Sequence, residues 1–491
     1  MSKRLAGLCG SVLAVALTAA AAPASAQIII GGKPVQEEQP PIVIAPGVAP
    51  TTPSTPAAPG APSIFPVNAD AAAYSPVSVA TAVFTGESEA EADLARKFTD
   101  IVRADLASIG VFAAPDAASI SGIAASVSAL PQWAAWSGVN AKALLVGKVM
   151  IAADGKLTVQ FRLFDVDARS QRIGTQYVVP VQDKWRTLAH KIADDVVVSL
   201  VGGQSGFDSR ITFASESGGK MRLGIVDMDG ANIEYPFDNV SMIEAPRFAP
   251  TMPSVVYSGD APVPGKPKEV QRTTIIYDLA TGRRDPALSV SPQPNADARY
   301  SPDGLSLIYS RKVGANTDIF QTYLPTRKET KLTDDKSADT APSLSPDGKQ
   351  FAFVSERSGA ANLFIANVDG SPLTCADGTS AKACQLTRDG GYEDAVWSPV
   401  GGRIAFARRA GEQAVIGIVN TDGSGQRALT TPSGKTLDIK PSWSPDGRRL
   451  VFSRIVGNSG QLHILTVKTG ETRRLEVSGN AFEPNWGPKA R

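Results

Sequence analysis

One short motif recurs six times in the second half of the chain, and its spacing limits the folds available to this sequence. In each copy a large apolar residue is followed two positions later by proline. In three of the copies this proline belongs to the sequence Ser-Pro-Asp-Gly. The copies span residues 246–250, 298–304, 342–348, 395–399, 441–447 and 484–488, and their prolines lie 52, 44, 53, 46 and 43 residues apart. A four-stranded propeller blade needs about 40 to 50 residues. The sequence therefore predicts an all-β, six-bladed β-propeller over residues 207–491.

Each motif has the composition of an inner strand that ends in a tight turn. Proline fixes φ, aspartate caps the turn, and glycine takes the positive-φ position. The last copy supplies only an inner strand, whereas residues 210–214 begin at a second strand. Pairing of these N- and C-terminal strands is predicted to close the ring and to leave no free sheet edge.

Residues 74–206 are predicted to form a smaller α+β domain. Residues 76–84 alternate as a strand does, and a helix with one apolar face follows and stops at Gly110. Residues 143–149 and 157–166 are predicted to be two strands joined at Asp154-Gly155. A second helix presents a stripe from Trp185 to Leu200 and stops at Gly202-Gly203.

Residues 1–26 have the features of a signal peptide. Lys3 and Arg4 precede an apolar stretch, and residues 24–26 match a signal-peptidase site, which predicts cleavage after Ala26. An uncleaved membrane anchor is the alternative. No later stretch approaches the ~18 apolar residues that a membrane-spanning helix needs. We therefore expect an exported protein without a direct membrane span.

Residues 27–73 are predicted to hold a short strand and a flexible linker. The strand is Gln27, Ile28, Ile29 and Ile30, and residues 31–66 are rich in Pro, Ala and Thr. The strand could pair within its own protein, or it could dock onto the sheet edge of a partner.

Two cysteines remain after the predicted cleavage, Cys375 and Cys384. In an exported protein such a pair is expected to form a disulfide, with two reduced surface thiols as the alternative.

Composition argues against several classes of function. The chain has 49 Lys and Arg against 48 Asp and Glu, so no net charge attracts nucleic acid. Only His190 and His463 are present, which opposes a histidine-rich metal site or a histidine-based catalytic relay. Acidic pairs such as Asp227 and Asp229 lack the other ligands of a calcium loop, so turn chemistry explains them better. We expect no catalytic residue, no metal and no cofactor.

Polar and mostly acidic residues recur where the chain enters each inner strand. In a propeller these positions gather around one mouth of the central channel. The candidate residues are Glu244, Asn295, Asp297, Asp339, Thr340, Glu393, Asp394, Asp438, Lys440 and Glu483. They could form only a hydrated rim, or they could recognise a partner that offers basic groups or hydrogen-bond donors.

The order of these segments, together with three further sequence stretches, resembles the TolB family of the Tol–Pal envelope system. The stretches are residues 104–112, residues 133–147 with Trp133 and Trp136, and residues 207–213 leading into the propeller. The resemblance implies a monomeric, non-enzymatic periplasmic adaptor that supports outer-membrane invagination in cell division and outer-membrane integrity. It also implies that the ten mouth residues bind the peptidoglycan-associated lipoprotein Pal and that Gln27, Ile28, Ile29 and Ile30 bind TolA.

The alternative function is a propeller hydrolase or a glycan-binding module of the periplasm. A catalytic cluster would distinguish a hydrolase from an adaptor. No G-x-S-x-G nucleophile motif occurs in the sequence. The adaptor is therefore the leading prediction.

Overall fold

The structure is a computed structural model that describes residues 75–489, except 204, 264–265, 287 and 289–294. The predicted signal peptide, the strand at residues 27–30 and the linker lie outside the described residues. No helix in the described part of the chain is long and apolar enough to span a membrane.

The N-terminal part is a five-stranded sheet in the order β2-β1-β3-β4-β5 with helices packed on it. Strand β1 is parallel to β2 and to β3, whereas β3, β4 and β5 form an antiparallel meander. The elements are β1 (Val77–Thr81), α1 (Glu89–Ser108), β2 (Phe112–Ala113), α2 (Ala117–Ile120), α3 (Trp133–Gly138), β3 (Ala143–Ile151), β4 (Lys156–Asp165), β5 (Ser170–Pro180) and α4 (Val181–Val201).

Helix α1 begins at a capping box, in which the Ser88 hydroxyl accepts from the Glu91 N–H and the Glu91 carboxylate accepts from the Ser88 N–H. Its buried face, with Phe98 and Val102, packs on the sheet. Gly110 follows the helix with φ of 66°, as the predicted stop requires. The periodicity in the sequence therefore placed this helix correctly.

The remaining strands pair antiparallel with their neighbours, apart from one parallel pair between β25 and β27. They are β6 (Ser209–Ser217), β7 (Lys220–Asp227), β8 (Glu234–Val240), β9 (Ile243–Phe248), β10 (Ser254–Val263), β11 (Lys266–Asp278), β12 (Arg284–Pro286), β13 (Asn295–Tyr300), β14 (Ser306–Val313), β15 (Asn316–Tyr323), β16 (Lys328–Lys331), β17 (Asp339–Leu344), β18 (Gln350–Ser355), β19 (Asn362–Asn367), β20 (Leu373–Thr374), β21 (Ser380–Ala381), β22 (Ala383–Gln385), β23 (Tyr392–Trp397), β24 (Arg403–Ala410), β25 (Gln413–Asn420), β26 (Arg427–Ala428), β27 (Thr436–Trp443), β28 (Arg449–Val456), β29 (Ser459–Thr466), β30 (Thr472–Leu475) and β31 (Asn480–Lys489).

These strands form a β-propeller. The sheets are β31-β6-β7-β8, β9 to β12, β13 to β16, β17-β18-β19-β22, and one that runs from β23 to β30. The two halves of the last sheet, β23 to β26 and β27 to β30, pack against each other, but their strands pair at a single position, Ala414 with Leu437. The inner strands β9, β13, β17, β23, β27 and β31 contact one another in that order, and β31 also contacts β9. The prediction of an α/β domain followed by a β-propeller is confirmed.

Strands from the two ends of this region share one sheet. Strand β31 pairs antiparallel with β6, with Trp486 opposite Ile211 and Asn480 opposite Glu216. The indole N–H of Trp486 donates to the Ser209 hydroxyl at 2.8 Å. The backbone N–H of Phe248 on β9 donates to Asn485 Oδ1 at 2.9 Å, so β31 is also bonded to the next inner strand.

Buried polar groups join the α/β domain to the propeller. His190 of α4 is 2.7 Å from the Asp105 carboxylate of α1 and 3.5 Å from Asp229, which follows β7. Burial alone would lower the pKa of His190, but its hydrogen bond to Asp105 and the nearby carboxylate of Asp229 raise the pKa to about 10. Arg449, fully buried at the start of β28, lies over the Phe207 and Trp486 rings and donates to the Ser108 hydroxyl. His190 and Arg449 therefore link residues of the α/β domain to residues of the propeller.

Cys375 and Cys384 are joined by a disulfide, with an Sγ–Sγ distance of 2.01 Å and Cα atoms 5.3 Å apart. The bond closes the small hairpin of β20 and β21, which lies between β19 and β22. Cys384 belongs to the apolar cluster between neighbouring sheets. The bond therefore fastens this hairpin to the propeller.

Candidate functional site at the mouth of the propeller

Every inner strand carries a β-bulge at the same place. At each bulge one non-glycine residue adopts a left-handed conformation, with φ between 48° and 55°. We call these the bulge residues: Ala245, Asp297, Ala341, Asp394, Lys440 and Glu483. Such a conformation costs about 1–3 kcal/mol per residue outside glycine, and strained positions cluster at functional sites. These residues therefore mark one end of the inner strands as a candidate site.

The charged bulge residues bind one another across the mouth. Lys440 Nζ is 2.8 Å from Asp394 Oδ1 on the neighbouring inner strand and 3.5 Å from Asp297 Oδ1 on β13. The backbone N–H of Lys440 also donates to Asp394, and that of Ala245 donates to the Glu483 carboxylate. These contacts place residues that are far apart in sequence around one opening.

Three of the predicted mouth residues, Asp339, Asp394 and Asp438, are buried. Asp339 and Asp438 are fully buried, because each carboxylate holds an arginine from the neighbouring hairpin. Arg357 donates to both oxygens of Asp339, at 3.0 and 2.9 Å. Arg454 donates to both oxygens of Asp438, at 2.7 and 2.8 Å. The arginine is therefore the more accessible member of each pair, with 22% of the Arg357 side chain and 23% of the Arg454 side chain exposed.

Three other predicted residues have accessible side chains on the same rim. Glu244 of β9 pairs with Arg272 at 3.3 Å, and Glu393 of β23 pairs with Arg409 at 2.7 Å. Thr340 of β17 is partly exposed. The remaining residue, Asn295, starts β13 opposite Arg311. All ten predicted residues therefore lie near the same end of the inner strands.

The carboxylates of the mouth influence one another electrostatically. Burial raises the pKa of Glu244, and the nearby Glu483 and Asp297 raise it further despite Arg272. Lys440 lowers the pKa of Asp297, and Arg299 and Arg247 add to this effect. Burial and the charge of Arg247 lower the pKa of Arg299 to about 10. Acidic groups thus lie close together at the rim. Two arginines lie near them, Arg247 on β9 and Arg299 on β13, each two residues after a bulge residue.

An apolar cavity of about 240 Å³ opens beside the acidic groups. Sequence reasoning did not identify its apolar residues, which are Ala214, Met221, Ile243, Ile439, Ile455 and Phe482. Glu244 and Glu483 also line it. One feature of the sequence could have identified them. The residue before the bulge residue is Ile439 in β27 and Phe482 in β31, but it is Glu, Ala or Thr in the other inner strands.

The predicted TolA-binding strand, Gln27, Ile28, Ile29 and Ile30, lies outside the described residues. Within the described part of the chain, no group of three or more His, Cys, Asp or Glu side chains could hold a metal ion.

Two family models match this chain. The TolB beta propeller domain matches residues 198–490, more than half of the sequence, and the TolB amino-terminal domain matches residues 66–172. Together the two matches cover both parts of the described structure.

Curated relatives carry the same family name. The "Tol-Pal system protein TolB" of Dinoroseobacter shibae is 36% identical over 273 residues, 54% of this chain and 59% of that protein. The protein of the same name from Roseobacter denitrificans is 36% identical over 187 residues, 37% of this chain and 42% of that protein. The matched region is therefore less than two thirds of either relative.

A solved structure shows the same fold. The crystal structure of TolB from Acinetobacter baumannii superposes with a TM-score of 0.69 at 24% identity and covers 84% of this chain and 97% of that one. The curated relatives are named as components of a system and not as enzymes, which agrees with the prediction of a non-enzymatic protein. By the extent of its family match, this chain belongs to the TolB family.

Proposed function

We propose that this protein is a non-enzymatic periplasmic adaptor of the Tol–Pal envelope system. The observation that carries the proposal is the ring of bulge residues, which holds Asp297, Asp394, Lys440 and Glu483 together at one mouth of the channel. A rigid sheet scaffold with a charged rim suits recognition of another protein. The shared name of its curated relatives supports the choice of system.

The propeller mouth would bind the peptidoglycan-associated lipoprotein Pal. Glu244, Asn295, Asp297, Thr340, Glu393, Lys440 and Glu483 would supply the rim, and the buried Asp394 would act by holding Lys440. Asp339 and Asp438 would act through Arg357 and Arg454, which they orient. A partner that brings basic groups would find carboxylates, and one that brings acidic groups would find the partly exposed side chains of Arg357 and Arg454.

A closed, six-bladed ring is the architecture that we infer for this platform. Support comes from six inner strands that contact one another in sequence, and from the pairing of β31 with β6. The domain limits would be residues 74–206 and 207–491. Closure would keep the mouth residues in fixed relative positions without a partner, which reduces the ordering cost of binding.

The N-terminal segment would provide the second contact. Residues 27–30 would bind TolA as an added strand, and cleavage after Ala26 would release the protein, as a monomer, into the periplasm. An adaptor with these two contacts would couple the inner membrane to outer-membrane invagination in cell division and to outer-membrane integrity.

A pull-down from an envelope extract tests the proposal. The mature chain, residues 27–491, should retain Pal, and the variant Thr340→Ala/Glu393→Ala should retain less. A matched control is Lys435→Ala/Glu412→Ala, which removes an exposed ion pair from a neighbouring surface. Absence of Pal from the wild-type eluate would refute the assigned partner.

The N-terminal contact has its own test. Deletion of residues 27–30 should abolish binding of purified TolA and leave Pal binding unchanged. Unchanged TolA affinity would place that site elsewhere in the protein.

A further inference from the structure

The mouth of the propeller is not chemically uniform. The residues that precede the six bulge residues are Glu244, Ala296, Thr340, Glu393, Ile439 and Phe482. The two large apolar members lie on β27 and β31, which are neighbouring inner strands. One side of the rim therefore offers apolar side chains, and the rest of it is small or polar.

The apolar side is concave. The cavity of about 240 Å³ lies between β27 and β28, the paired strands β31 and β6, and the start of β9. Ile439, Ile455 and Phe482 line it and are only partly buried, whereas Ile243 is buried at its base. The ring of Phe482 lies over Gly460, where a methyl group would clash with the ring, so this glycine leaves space for the ring. The apolar side chains that form the wall of the cavity therefore have fixed positions.

Negative charge lines one side of this cavity. Within the described residues, Glu483 accepts the Ala245 N–H and has no cationic side chain at salt-bridge distance. Glu244 is paired with Arg272 only at 3.3 Å, and its side chain is about half exposed. Burial raises the pKa of Glu244, and Glu483 is close enough to raise it further, whereas Arg272 and Lys440 lower it. A cation placed between the two carboxylates would relieve their repulsion.

We propose that this cavity is a specificity pocket, which receives one aliphatic or aromatic side chain of the bound protein while an adjacent Lys or Arg of that protein pairs with Glu483 and Glu244. The inference rests on the proposed function, because it deepens the description of the same mouth. Interface energy concentrates in a few apolar anchors that fill pockets, and charges at the rim add specificity. The pocket would therefore contribute affinity, and the carboxylates would select the flanking residue.

Calorimetric titration with the purified periplasmic part of Pal provides the first measurement. The variant Ile439→Thr/Ile455→Thr keeps β-branched residues in both strands but makes the wall polar, and it should weaken binding by about tenfold or more. Glu483→Gln should weaken binding at low salt and reduce its salt dependence. The control Val313→Thr changes an exposed residue of the β14–β15 turn, near the same face but outside the cavity, and should bind as wild type does. Thermal unfolding of each variant shows whether it is folded.

A second measurement does not depend on Pal. Saturation-transfer NMR compares L-phenylalaninamide, which is cationic, with N-acetyl-L-phenylalaninamide, which is uncharged. Wild type should give the stronger signal with the cationic amide, and the Ile439→Thr/Ile455→Thr variant should lose that signal. Equal NMR signals from wild type and the variant would overturn the proposal of a pocket.

The calorimetric and NMR measurements together distinguish failure of the pocket proposal from failure of the proposed function. If wild type binds Pal and the cavity variant binds equally well, the pocket is wrong and the adaptor function stands. If wild type does not bind Pal, the proposed partner is wrong, and the NMR comparison alone decides whether the pocket exists. Loss of Pal affinity in folded Ile439→Thr/Ile455→Thr, but not in Val313→Thr, supports both.

Discussion

Lys440 and Asp394 contact each other twice across two neighbouring inner strands. The ammonium group lies 2.8 Å from Asp394 Oδ1, and the backbone N–H of the same lysine donates to Oδ2 at 3.2 Å. The second contact depends on the left-handed bulge at residue 440, which aims the backbone N–H at the neighbouring strand. Backbone strain and charge pairing are thus coupled at this site.

Replacement of this lysine should destabilise the propeller. Lys440→Met leaves the buried Asp394 and the nearby Asp297 without their cation, and we expect the free energy of unfolding to fall by about 3 kcal/mol at pH 7. Lys440 holds the pKa of Asp297 low, so its contribution is present above about pH 4 and is lost as the pH falls further. The difference between wild type and variant in urea titrations should therefore shrink in acid.

Lys435→Met is the matched control, because Lys435 pairs with Glu412 at 2.6 Å on the exposed surface. Its cost should be under about 1 kcal/mol. Equal effects of the two lysine replacements would contradict the role given to Lys440.

The two histidines should give the protein opposite pH dependences. The raised pKa of His190, about 10, means that its stabilisation is complete below its unfolded value of about 6.5 and falls as the pH rises from there to 10. Burial lowers the pKa of His463 to about 4, so its contribution is present above about 6.5 and falls as the pH drops toward 4. Urea unfolding between pH 4 and pH 10 measures both slopes.

His190→Gln should flatten the alkaline slope and cost about 3 kcal/mol at pH 6, since it removes the cation between Asp105 and Asp229. His463→Gln should flatten the acidic slope only. An unchanged alkaline slope in His190→Gln would show that this ion pair does not control stability.

The hydrogen bond between Trp486 and Ser209 should be measurable as a pairwise coupling. Trp486→Phe keeps an aromatic ring but removes the indole N–H that donates to Ser209, and Ser209→Ala removes the acceptor. Each change should cost about 1 kcal/mol, and the double variant should cost less than the sum. Strict additivity in denaturant titrations would mean that the bond contributes nothing.

Glu91 should continue to stabilise the start of α1 down to low pH. Its carboxylate accepts N–H groups of Ile151 and Ser88, which lower its pKa to about 2. Glu91→Gln should cost about 1–2 kcal/mol at pH 7. The contribution is present above the unfolded pKa of about 4.5 and is lost as the pH falls toward 2, so the difference should vanish there.

Glu89→Gln, in the exposed first turn of the same helix, is the control and should have little effect. Thermal unfolding at pH 7 and at pH 2.5 compares the two. Equal costs for both variants would exclude a special role of Glu91.

Motif spacing in the sequence was sufficient to predict where the inner strands lie, and periodicity was sufficient for α1, β3 and β4. Strand β5 was not predicted, because most of its residues are half exposed and do not alternate in hydrophobicity. The short helices α2 and α3 were also not predicted, since four and six residues are too few to show a period.

The mouth was predicted from polarity, and polarity alone was misleading in two ways. It did not reveal that Asp339 and Asp438 are buried, because that depends on Arg357 and Arg454 from the following hairpins. It also passed over Ile439 and Phe482. The bulges explain part of this, since one extra residue reverses which face of the strand the next side chain occupies.

The pairing of β31 with β6 has a consequence for the order in which the chain folds. Strand β6 lies at residues 209–217, and its partner lies at residues 480–489. While the chain is synthesised from its N-terminus, one edge of β6 therefore stays unpaired until more than 260 further residues have been added. A chain interrupted in that interval would display a free strand edge, which makes it a natural substrate for holding chaperones and proteases.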